Sequence, residues 1–165
     1  MANLEKLSND QLKNQIANYE RLLRTTDPLY GQLVQELAKR TGGDLKLEKS
    51  LEHLANAARQ QRFTSYGALA SASGVEWTKA RHRMDGANGH LDQLLSVCRS
   101  RGLPLLPSIC VNKNNINSGE LDEHSLQGFV KGAERLGYTI TDWKEFLHSC
   151  QQECFKWGQS YQGSS

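Results

Sequence analysis

Four basic or titratable side chains lie within five positions, and their types suit contact with an anion. They are Lys79, Arg81, His82 and Arg83. Ammonium and guanidinium groups bind phosphate oxygens, and guanidinium also pairs with base edges in the major groove of DNA. The spacing predicts a helix that displays these side chains toward solvent or a partner. The segment therefore predicts contact with nucleic acid, and the alternative is a solvated basic face on a packed helix.

The residues around this segment predict the element that would position it. We expect a first helix that contains Ala70, a tight turn at Gly74, and a second helix with Ala80 on its inner face. A turn between crossing helices needs a residue that tolerates positive φ, as glycine does. A DNA-binding helix-turn-helix places its second helix in the major groove. The pattern predicts such a unit, although it is also typical of a plain helical hairpin.

Charge is distributed unevenly along the chain, although the net charge is only +2. Between residues 59 and 101 there are seven Lys or Arg residues and three acids. From residue 119 onward there are seven acids and four bases. This asymmetry favours one face that meets an anionic partner, with ordinary surface charge as the alternative. The basic side chains expected to extend that face are Arg59, Arg62, Arg99 and Arg101.

The four cysteines give weaker indications of chemistry. Cys150 and Cys154 are four residues apart and lie near His148, but a zinc site would need two further ligands. Thiols on the apolar side of an amphipathic helix are the favoured interpretation. Without an export signal, we expect the cysteines to stay reduced, and we predict neither a metal nor a cofactor.

Two further groups of side chains keep an enzyme as a third hypothesis. Cys110 would be a nucleophile if a histidine such as His82 or His90 lay beside it. The acids and the histidine at 120–124 could perform acid–base chemistry. Acids in the first turn of a helix are, however, what the helix dipole favours in any case. We therefore expect no catalytic residue, and a thiol- or carboxylate-dependent enzyme stays an alternative.

Amphipathic patterns predict three helices before residue 63. Ser8 and Gln11 have capping-box spacing, and the stripe that follows them consists of Leu12, Ile16, Tyr19 and Leu23. Asp27 before Pro28 predicts the start of a second helix, which stops at 41–43. A third helix carries leucines and alanines from 47 to 58. We expect these helices to cover their own domain, and a homodimer through them is the alternative.

The chain after residue 84 predicts mixed structure. A glycine-containing loop at 85–89 precedes a helix from His90 to Arg101, and the apolar, proline-bounded segment 103–111 is the best strand candidate. The polar loop that follows would form a wing-like second contact through Asn112, Lys113, Asn114 and Asn115. Two more helices, at 121–136 and after Thr141-Asp142, complete the pattern.

The run from Phe63 to Ala70, then Gly74, then Lys79-Ala80-Arg81, resembles the winged-helix domain of DNA alkyltransferases and alkyltransferase-like proteins. In that family an arginine of the second helix takes the place of a flipped-out base. The resemblance implies this role for Arg81 and a position near the DNA backbone for Tyr66. Ser108 stands where the family has its reactive cysteine, so the resemblance implies DNA binding without methyl transfer. The C-terminal part also resembles uncharacterised bacterial proteins, which imply no function.

Together the patterns predict a mainly α protein. A helical N-terminal layer (1–62) precedes a helix-turn-helix or winged-helix-like centre with one short strand or hairpin and two C-terminal helices (63–157), followed by a flexible tail (158–165). The leading hypothesis is non-catalytic binding of duplex DNA. The main alternative is a protein-interaction module, such as an inhibitor or adaptor of a bacterial or phage system. Without a spanning segment or signal peptide, we expect a cytoplasmic location and no membrane.

Overall fold

The computed structural model describes residues 3–41, 43–86 and 88–160, and the regular structure within them is almost entirely helical. The helices are α1 (Asn9–Arg21), α2 (Pro28–Thr41), α3 (Leu47–Arg59), α4 (Tyr66–Ala72), α5 (Trp77–Met84), α6 (His90–Ser100), α7 (Glu123–Arg135) and α8 (Trp143–Ser160). Strands β1 (Thr64–Ser65) and β2 (Cys110–Val111) pair in parallel, with Thr64 opposite Cys110. The predicted fold class, mainly α, is confirmed.

Several helices begin where their capping residues predict. The Ser8 hydroxyl accepts a hydrogen bond from the Gln11 amide at 3.1 Å, and the Gln11 side chain accepts one from the Ser8 amide at 2.8 Å. Asp27 and Asp142 accept first-turn amides of α2 and α8 at 2.9 and 3.1 Å. These bonds satisfy amides that have no partner within their own helix, so the local sequence decides where each helix starts.

Leu23 departs from the predicted apolar stripe. The helix α1 ends at Arg21, and Leu23 is 70% exposed with a φ of 56°. The Leu23 amide bonds to the Glu20 carbonyl, and the next amide bonds to the Tyr19 carbonyl at 2.8 Å. This is a Schellman motif, in which the residue after the helix adopts the left-handed conformation. The motif therefore turns Leu23 out of the stripe that continuous helical spacing predicts.

The strand predicted at 103–111 is mostly a helical turn. Residues 106–109 form a 3-10 helix, and only Cys110 and Val111 are strand. Pro107 has no amide hydrogen, so it cannot donate to a ladder, while the Ser108 amide bonds to the Leu105 carbonyl at 2.9 Å. The partner strand β1, just before α4, was not predicted.

One hydrophobic core joins the N-terminal helices to the rest of the described chain. It contains Tyr30, Leu54, Leu94 and Leu147, so it crosses the predicted boundary between residues 62 and 63. The helix α8 continues to Ser160, so residues 158–160 of the predicted tail are helical. Residues 161–165, Gly42 of the predicted helix stop and Ala87 of the predicted loop lie outside the described residues. No helix within the described ranges is long and apolar enough to cross a membrane.

Candidate nucleic-acid interface

The predicted helix-turn-helix is formed by α4, a four-residue turn and α5. The Ser65 hydroxyl accepts a hydrogen bond from the Ala68 amide at 3.2 Å and caps α4. Gly74 has a φ of 75°, and the Val75 amide reaches back to the Ala70 carbonyl at 3.1 Å to close the turn. Ala70 and Ala80 are both buried, because small side chains let the two helices approach closely.

The outward face of α5 carries three basic or titratable side chains. Ala80 and Met84 are buried, and at about 100° per residue the intervening positions turn away from the core. Lys79, Arg81 and His82 are exposed and make no hydrogen bond or ion pair with any residue in the described ranges. These side chains are therefore available to an external anion.

Arg83 is exposed but already has a structural role. Its guanidinium donates to the Thr41 carbonyl at 3.3 Å and packs over Gly43. Thr41 ends α2, where unpaired carbonyl groups favour a positive charge. Arg83 thus links α5 to the α2–α3 loop and is less free than Lys79 or Arg81.

Acidic residues limit the basic surface of α5 at both ends. Glu76 immediately precedes the helix. Asp85 immediately follows it and lies 4.0 Å from the Nε2 atom of His124. The positive surface is consequently about one short helix long, which fits a small number of phosphate contacts rather than an extended track.

Arg59 and Arg62 do not adjoin this surface. Both are exposed, but they lie at the C-terminal end of α3, where the Arg59 guanidinium bonds to Asn56. Arg83, by contrast, contacts the loop before α3. Thirteen helical residues separate these two ends, which is about 20 Å. The structure therefore does not bring the two groups together.

Arg99 and Arg101 are both engaged in contacts within the protein. The Arg99 guanidinium is half-buried, lies 4.5 Å from the centre of the Tyr138 ring and donates to the Tyr138 hydroxyl at 3.2 Å. The cation–π contact and the hydrogen bond hold the Arg99 guanidinium against Tyr138. Arg101 pairs with Glu48 at 2.5 Å. Neither arginine extends the face of α5.

Tyr66 is half-buried and does not stand on an open surface. Its ring stacks on Trp77 with centroids 6.1 Å apart and planes 18° from parallel. Burial raises the pKa of its hydroxyl. Both rings line a cavity between α5 and α7. Trp77 was not predicted as a site residue. It lies three residues before Ala80, and this spacing places it at the edge of the inner face of α5.

The predicted wing is a compact turn rather than a hairpin. The Asn112 side chain accepts a hydrogen bond from the Asn114 amide at 3.3 Å, and residues 113–115 form a 3-10 turn. The Asn115 carbonyl then accepts from the Gly119 amide at 2.7 Å, and Gln151 of α8 donates to the Gly119 carbonyl at 2.8 Å. The loop is thus tied back onto α8. Asn112, Lys113 and Asn114 are exposed, whereas Asn115 is half-buried.

Comparison with known proteins adds no relative. No protein-family model matches the chain, and neither a curated protein nor a solved structure does. The geometry of the chain itself is therefore the basis for any functional argument.

The cysteines have surroundings that suppress reactivity. All four are buried and free, and burial raises the pKa of Cys110 and Cys154. Burial also raises the pKa of Cys98 and Cys150 to about 12. A thiol becomes a nucleophile as the thiolate, so this burial disfavours the thiol-enzyme hypothesis.

The acidic cluster near residue 120 is used for structure. Asp122 accepts the Ser125 amide at 2.7 Å as the N-cap of α7, and Glu120 lies 3.1 Å from the Nε2 atom of His148. Within the described residues, no three His, Cys, Asp or Glu side chains converge as metal ligands.

Proposed function

We propose that the protein binds duplex DNA without catalysis and that α5 is the contact helix. The observation that carries the proposal is the outward face of α5, where Lys79, Arg81 and His82 are exposed and unpaired within the described chain. A short basic helix held by a preceding helix and a tight turn has the form in which proteins insert side chains into the major groove.

The size of the basic face sets the expected strength of binding. Lys79 and Arg81 supply two full charges, Arg83 is partly committed to Thr41, and the acids at both ends of α5 oppose further contacts. Each phosphate contact contributes about one unit to the dependence of log affinity on log salt. We therefore expect modest affinity with a salt slope of about two to three.

Fluorescence anisotropy with a labelled duplex at several salt concentrations tests this proposal. Arg81→Ala and Lys79→Ala should each weaken binding about tenfold, because each removes a charge-assisted contact. The double variant should also lower the salt slope by about two. Arg24→Ala, which removes the same charge from the exposed turn between α1 and α2, is the matched control and should leave binding unchanged.

Two results would contradict the proposal. One is no binding to duplex DNA even at low salt. The other is equal weakening by Arg81→Ala and Arg24→Ala, because it would show that affinity follows net charge rather than α5.

A further inference from the structure

A cavity of 580 Å³ lies between α5, α6 and α7. Sites for small molecules are typically 300–1,000 Å³ in volume, predominantly apolar, and carry a few converging polar groups. The apolar lining of this cavity comes from Met84, Leu91, Leu95, Leu121 and Phe129. The cavity therefore has the size and the lining of a small-molecule site.

An aromatic pair forms one wall of the cavity. Tyr66 and Trp77 stack on each other, and Trp77 stays 40% exposed although it is a large apolar side chain. Indole is the side chain whose face attracts cations most strongly, and it also stacks on planar groups. An exposed tryptophan at the edge of an apolar cavity thus favours an occupant that combines a flat or apolar body with positive charge.

The charges around the cavity favour the same occupant. The carboxylates that line it are Asp85, Asp92 and Asp122. The basic side chains that line it are Lys131, Arg135 and His124, but Arg135 is already paired with Glu20 of α1 at 2.5 Å, and His124 lies 4.0 Å from Asp85. Lys131 is therefore the one full positive charge without a partner among the described residues of this lining, which also contains three carboxylates. The wall of the cavity thus carries a net negative potential.

We propose that this cavity binds a small organic cation with a flat apolar body. The body packs between the aromatic pair and the leucine-lined floor, and the cationic group faces Asp85 and Asp122 at the rim. This binding does not depend on DNA contact by α5.

Two-dimensional ¹H–¹⁵N NMR with tryptamine as the probe tests the proposal. Tryptamine should shift the Trp77 indole N–H signal in a saturable manner, and Trp77→Phe identifies that signal. Indole-3-acetate carries the same ring with the opposite charge, so it should cause no shift at equal concentration. Asp85→Asn with Asp122→Asn should weaken tryptamine binding about tenfold, because a charged partner is lost while asparagine can still cap α7.

Asp142→Asn is the matched control, since Asp142 caps α8 through the same kind of bond and does not line the cavity. It should leave tryptamine affinity unchanged. If the double variant is unfolded, Asp85→Asn alone, at a side chain 63% exposed, should weaken binding in the same direction. The proposal is overturned if tryptamine fails to shift Trp77, if both indoles bind equally, or if the aspartate variants bind as tightly as the control.

Discussion

The Tyr30 hydroxyl is the centre of a buried polar network that joins four helices. It donates to Glu20 of α1 at 2.7 Å, accepts from Arg135 of α7 at 2.9 Å and lies 3.0 Å from the Ser96 hydroxyl of α6. Arg135 also donates to the Asp92 carbonyl at 3.2 Å. Burial raises the pKa of Tyr30. Each member needs the others, because a desolvated polar group without a partner is costly.

Glu20→Gln should therefore destabilise the fold by about 2 kcal/mol, because it leaves the Arg135 charge without its counter-ion in a mostly buried site. The control is Glu48→Gln, which removes a carboxylate from the more exposed pair between Glu48 and Arg101. That change should cost less than about 1 kcal/mol. Urea denaturation followed by circular dichroism measures both values. Equal losses would show that the network adds nothing beyond an ordinary ion pair.

This network illustrates what the sequence could not predict at the level of residues. The pairing of Glu20 with Arg135 carried no signal in the sequence, because 115 positions separate the two residues. The exposed side chains of α5 were predicted because helical period alone decides which way they face. The contact between Arg99 and Tyr138 could not be predicted, because the two residues are remote in sequence.

Helices α3 and α8 approach each other closely at Gly158. A Cβ atom on Gly158 would meet the Ala58 carbonyl group and the Arg59 amide nitrogen. Gln61 strengthens the same junction by donating to the Phe155 carbonyl at 2.8 Å. The absence of a side chain at Gly158 is therefore required by packing between the helices.

Gly158→Ala should destabilise the protein by about 1–3 kcal/mol, because backbone atoms of α3 would have to move. Gly128 lies in α7, where a Cβ atom would meet nothing within 4 Å. Gly128→Ala should instead stabilise by about 0.5–1 kcal/mol, since alanine loses less backbone entropy in a helix. Thermal unfolding of the two variants gives the comparison. A shift of the same sign in both would contradict the proposed junction.

At the level of elements, the local signals predicted the helices well. Capping residues, apolar period and the glycine at 74 together define most helix ends and the turn before α5. The short parallel pair could not be predicted, because two residues carry too little pattern and their pairing depends on a contact between Thr64 and Cys110. The compact form of the 112–119 loop could not be predicted for a similar reason, since it depends on a hydrogen bond from Gln151 of α8 to the Gly119 carbonyl.

For the molecule as a whole, one buried histidine makes stability depend on pH. His90 is 4% exposed, its Nε2 atom lies 2.7 Å from the Ser50 hydroxyl, and burial lowers its pKa to about 4. The unfolded chain binds the proton with a pKa near 6.5, so protonation favours unfolding. The stability contributed by neutral His90 is thus complete above about pH 6.5 and is lost as the pH falls toward 4.

His90→Gln should remove this part of the pH dependence, because the glutamine amide does not titrate but can still reach Ser50. The free energy of unfolding that depends on His90 should change by about 2–3 kcal/mol between pH 6.5 and 4. Asp92 acts in the opposite direction, since burial raises its pKa and the folded chain takes up its proton first. It is present in both proteins, so the difference between their curves isolates His90. Denaturation midpoints from pH 4 to 7 provide the measurement. The exposed His124→Gln is the control, and parallel curves for wild type and His90→Gln would refute the assignment.

The contact between Ala58 and Gly158 also constrains the order of events during synthesis. One hundred positions separate the two residues, and a chain emerges from the ribosome with its N-terminal side first. The surface of α3 that receives α8 must stay uncovered until α8 has been made. A nascent chain at that stage already contains the complete basic helix α5, so this helix is present before the core can be completed.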